Sequence, residues 1–85
     1  MDDRVRAVVS EKIDETLSKS QEIRRIQKLV AGSNDLAVGI AIGRIYNSFH
    51  YQTRRILKRS ATDEEFEDFL AMLDAQIGKI RAEFS

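Results

Sequence analysis

Apolar and polar positions follow a helical period in three long blocks, separated by two short polar interruptions. In the first, over about residues 3–31, Val5, Val9, Ile13, Thr16, Leu17, Ser20, Ile23, Gln27 and Val30 share one broad side at about 100° per residue. Thr16, Ser20 and Gln27 make that stripe wet in its middle and at its far end. Two readings compete. Either the helix is continuous with a polar seam, or it breaks near Ser18, where Ser18 and Gln21 have capping-box form. The continuous helix is the preferred reading. Gly32 is expected to end it as a left-handed C-terminal residue.

Ser33 or Asn34 can cap the second helix, over about residues 34–59, with Asp35 well placed in its positive first turn. Its expected core face is Val38, Ile42, Ile45, Tyr46, Phe49, Ile56 and Leu57. The back face changes along its length, from Leu36, Ala37, Ile40 and Ala41 to Ser48, Tyr51, Arg54, Arg55, Lys58 and Arg59. The stretch from Leu36 to Tyr46 is therefore apolar almost all round. Crossing a bilayer takes about 20 apolar residues, so this run is too short to span one. Burial on every side instead points to a partner, most simply a second copy of the chain. The expected interface is Leu36, Ala37, Gly39, Ile40, Ala41 and Gly43. Each glycine costs up to ~1 kcal/mol against alanine in a helix, and close approach of another helix would supply the reason for two.

Thr62 to Glu65 has capping-box form and opens the third helix, over about residues 63–84. Phe66, Phe69, Leu70, Leu73, Ile77, Ile80 and Phe84 make a clean amphipathic stripe. Ala71, Ala75, Gly78 and Ala82 line the opposite side and read as solvent-exposed helix formers. Connections of about three residues force antiparallel neighbours. The expected fold is all-α: a single domain over residues 1–85, an up-down-up three-helix bundle oligomerising through the N-terminal half of its second helix.

Composition supports the need for a partner. At 85 residues a single core is marginal, and with no cysteine neither disulfides nor thiolate metal sites supplement it. Oligomerisation is the remaining common supplement. Proline is absent, which suits continuous helices. No cationic-then-apolar leader opens the chain, so the default expectation is a cytoplasmic protein with no membrane association.

The formal net charge is zero but unevenly spread. Residues 1–60 hold twelve Lys/Arg against seven Asp/Glu; residues 61–85 hold two against seven. Arg44, Tyr51, Arg55, Lys58 and Arg59 project within about one half of the second helix and, with Arg54, form the candidate polyanion surface. Such a surface could bind phosphates by charge, with Tyr51 stacking on a base. Dipole complementation at a helix C-terminus is the plainer explanation of the cluster, and the acidic start of the third helix could neutralise part of it.

No other chemistry stands out. His50 is the single histidine and reads as a hydrogen-bonded boundary residue. No serine has an evident base and orienting acid, no glycine-rich phosphate loop occurs, and no metal or cofactor is expected. The expected function is a non-enzymatic, homo-oligomeric protein–protein interaction or assembly module. The alternative is a nucleic-acid-associated protein. A small helical enzyme binding an anionic substrate is the remote third.

Overall fold

A computed structural model describes all residues, 1–85. It is all-helical, with four helices rather than three: α1 (Asp3–Ser18), α2 (Ser20–Leu29), α3 (Asn34–Leu57) and α4 (Asp63–Glu83). The α1–α2 arm occupies the place of the expected first helix. Three contacts run in step along the arm and α4, namely Met1 with Asp68, Asp14 with Lys79 and Ser20 with Glu83. The arm and α4 are therefore parallel, with α3 antiparallel to both. The molecule measures 38 × 22 × 20 Å.

The expected continuous first helix is corrected by a break at Lys19 (φ −100°, ψ 19°), and the capping box proposed for Ser18 and Gln21 does not form. The Ser18 hydroxyl instead donates to the Glu15 carbonyl at 2.6 Å, competing for the same oxygen as the Lys19 amide. Back-bonding of this kind bends helices. Two residues later the Ser20 hydroxyl turns inward and donates to Glu83 Oε1 at 2.7 Å. Ser18, through its own turn, and Ser20, through α4, thus flank the bend on either side of Lys19.

The left-handed residue ending α2 is Ala31 (φ 51°), not Gly32. The Gly32 amide closes the turn on the Gln27 carbonyl at 2.9 Å. Gly32 has an ordinary negative φ; a Cβ there would lie 2.0 Å from Leu36 Cδ2, so a larger residue would make the exposed Leu36 side chain shift. Ser33 caps α3 through the Leu36 amide.

Thr62 and Glu65 form the expected reciprocal capping box on α4. The Arg59 guanidinium grips the same Glu65 at 2.7 and 3.2 Å. Chiefly through Arg59, then through the Thr62 amide, the Glu65 carboxyl is lowered from its ordinary 4.5 to about 2. Its folded value lies below its unfolded one, so the stability it contributes is full above about pH 4.5 and is lost as pH falls toward 2. Glu65→Gln should lower stability at neutral pH and flatten the acid dependence in that window, measured as urea midpoints between about pH 5 and 2.

The core comprises Val5, Val9, Ile13 and Ile23 of the arm, Ala37, Val38, Ala41, Ile45 and Phe49 of α3, and Phe69, Leu73, Ile80 and Phe84 at its α4 side. Five residues depart from expectation. Tyr46 and Leu70, read as core, are 42% and 41% exposed, and Val30, read as part of the first stripe, is 64% exposed. Ala37 and Ala41, read as outer face, are fully buried within the chain's own bundle. As the middle rod, α3 meets the arm on one side and α4 on the other, so it buries a wider arc than one stripe. Alanine's small side chain suits the level where a neighbouring helix comes close.

Candidate functional site

Four of the seven exposed large hydrophobic side chains flank the α2–α3 turn. Leu29 is 84% exposed, and Ile26, Val30 and Leu36 are exposed beside it. Ile40 continues the patch along α3, half-buried against the core. A Cβ built at Gly39 or at Gly43 would meet nothing within 4 Å. Neither glycine is demanded by a neighbour in the chain or by a positive φ. Of the six residues expected at an interface, Leu36, Gly39, Ile40 and Gly43 remain on or near the surface, whereas Ala37 and Ala41 are sealed inside. Reading from the sequence missed Ile26 and Leu29. Leu29 lies off the apolar stripe of the first block, and only the bend and the turn bring α2 beside the start of α3.

The basic cluster is partly consumed. Arg44 donates to Glu15 across the α1–α3 seam at 2.8 Å, and this guanidinium holds the Glu15 carboxyl below its usual range. Arg59 is taken by Glu65. Arg55 donates to Gln52 at 2.7 Å, within a shallow groove that Glu11 and Glu15 also line. Arg54 and Lys58 carry no ion pair, and Tyr51 is exposed beside them. The acidic start of α4 meets the cluster only through Glu65, since Asp68 pairs with the N-terminal ammonium. His50 is half-buried, its ring 4.8 Å from Tyr46 edge-on and 5.0 Å from Phe49.

A groove of about 460 Å³ separates α1 from α4, with Ser10, Ile13, Ala71, Met72 and Ala75 among its walls. Two of its acids have partners: Asp14 faces Lys79 at 3.9 Å, and Asp68 holds the N-terminus. No group of three or more His, Cys, Asp or Glu is arranged to hold a metal ion. No helix is long and apolar enough to cross a membrane.

Fold and surface together define a compact all-helical protein whose most distinctive open feature is apolar. Set against known proteins, the chain matches no family model, no curated protein and no solved structure.

Proposed function

We propose that this chain is a non-enzymatic protein–protein interaction module that associates with a second copy of itself through the α2–α3 end. One observation carries the reading: Ile26, Leu29 and Val30 just before the α2–α3 turn and Leu36 just after it are all exposed, ahead of two helix glycines with open space above them. Clustered exposed apolar side chains mark an interaction site more often than a bare surface. The glycines let a partner's backbone come close at positions where alanine would favour the helix. A second copy is the simplest partner, because a two-fold axis sets the patch against itself and both copies gain from one surface.

Sedimentation across a wide concentration range should show a dimer or higher oligomer. Leu29→Glu should weaken association by about ten-fold or more, since each copy loses a buried leucine and gains a charge. The same change should leave the unfolding midpoint of the isolated chain nearly unmoved, because Leu29 touches little of the core. A parent chain that sediments as a monomer at every concentration would sink the reading.

A further inference from the structure

We propose that the outer face of the second half of α3 binds single-stranded nucleic acid through Tyr51, Arg54, Arg55 and Lys58. This face lies toward the opposite end of α3 from the α2–α3 turn, so it goes beyond the self-association proposed above and does not depend on it.

The first observation is that the face is cationic without relief. No Asp or Glu occurs between Asp35 and Asp63, so Arg54, Arg55 and Lys58 have no acidic neighbour one turn away on their own helix. At about 100° per residue the three cations and Tyr51 fall within about 100° of arc. All four are exposed, across the helix from the fully buried Phe49 and Thr53. The acids of the neighbouring helices are engaged elsewhere: Glu15 by Arg44 and Lys12, Glu65 by Arg59, and Asp68 by the N-terminal ammonium. Glu11 shares a shallow groove with Arg55 but makes no ion pair with it.

The second observation is that these charges cost the fold something. Arg54 and Lys58 are like charges four residues apart, a spacing that destabilises a helix. Lys58 is also held at φ 60° in the left-handed cap of α3, a position that favours glycine. Complementing the helix dipole asks only for positive charge in the last turn, which Arg54 and Arg55 already supply. The third observation selects the ligand. Tyr46 packs edge-on to His50 and Phe66, whereas Tyr51 is 60% exposed and no other ring packs on it. A bare aromatic face one turn before two guanidinium groups matches a base stacked on the ring with its phosphates on the cations. In a duplex the bases stack on each other, so the free ring favours a single strand.

Fluorescence anisotropy of the full chain with a labelled oligothymidylate, too short to reach two copies, tests the proposal. Three phosphate contacts predict that log K falls against log salt with a slope of about −2, about a 20-fold loss of affinity between about 50 and 200 mM salt. Tyr51→Ala should weaken binding at least about five-fold and leave that slope unchanged. Arg54→Gln combined with Lys58→Gln should weaken binding and flatten the slope to about −0.7. Arg25→Gln combined with Lys28→Gln removes two exposed, unpaired cations of α2 and should leave the affinity nearly unmoved. All the altered side chains are exposed, so circular dichroism should show every variant folded. No binding by the parent chain at low salt overturns the proposal, as does an α2 variant that loses as much affinity as the α3 pair. Polyphosphate bound as tightly as the oligonucleotide, with Tyr51→Ala matching the parent, overturns the assignment to nucleic acid.

Discussion

Truncating Phe49 to alanine is expected to cost about 3–5 kcal/mol, the range for a fully buried aromatic ring. Phe49 is completely buried in the middle of α3, the rod that both other rods touch, and its ring stacks on Phe69 at 4.4 Å between centroids and 12° between planes. At about 0.05–0.15 kcal/mol per residue, a chain this small holds total stability of only about 4–13 kcal/mol, so the loss takes a large share of it. Urea denaturation followed by helical circular dichroism reads the effect directly. Phe69→Ala should cost a similar amount, and the double variant less than the sum, because both single changes remove the same stacked pair. A loss below about 1 kcal/mol for Phe49→Ala would mean that the rings do not form the centre of the core.

The opposite sign is expected at Thr16. Its side chain is fully buried in α1, and its Oγ1 has no hydrogen-bond partner. The chain contains its own control. Thr53, equally buried in α3, donates its hydroxyl to the Phe49 carbonyl at 2.8 Å. An unpaired buried hydroxyl costs about 1–3 kcal/mol in desolvation, whereas a satisfied one contributes about 1 kcal/mol. Thr16→Val keeps the branched shape and removes the orphaned oxygen, so it should raise stability by about 1 kcal/mol or more, a shift of about 4–8 °C in Tm per kcal/mol for a domain of this size. Thr53→Val should give no gain. Equal effects at the two positions would contradict the difference in their hydrogen bonding.

The link from this core to the proposed role runs through α2. That helix buries Ser20 and Ile23 and leaves Ile26, Leu29 and Val30 outside. It thus contributes few buried groups and, with Val30 just past its end, displays much of the exposed apolar surface. An element held by few buried groups is the one a second copy can most easily displace or cover.

What the sequence determined by itself is whatever depends on near neighbours in the chain. The helical periods, the Thr62–Glu65 capping box, the start of α3 beside Ser33, the amphipathic stripe of α4 and the all-α class all follow from interactions within a few residues. The two exposed-side glycines of α3 and the apolar stretch around them were legible for the same reason. Tertiary structure decided the rest. Whether Ser18 and Ser20 bend a helix depends on Glu83 waiting 63 residues beyond Ser20. Whether Ala37 and Ala41 face out or in depends on how many rods surround α3, and alanine's small surface carries too weak a hydrophobic signal to reveal it. Gly32 looked like a left-handed cap, yet Ala31 takes the left-handed angle, and Gly32 only leaves room for the Leu36 side chain. Arg44 and Arg59 were cationic in either view, but only the fold brought Glu15 to the first and closed Glu65 onto the second. Charge and periodicity are properties of a sequence, whereas the partner that neutralises a charge or covers a face is chosen by packing in three dimensions.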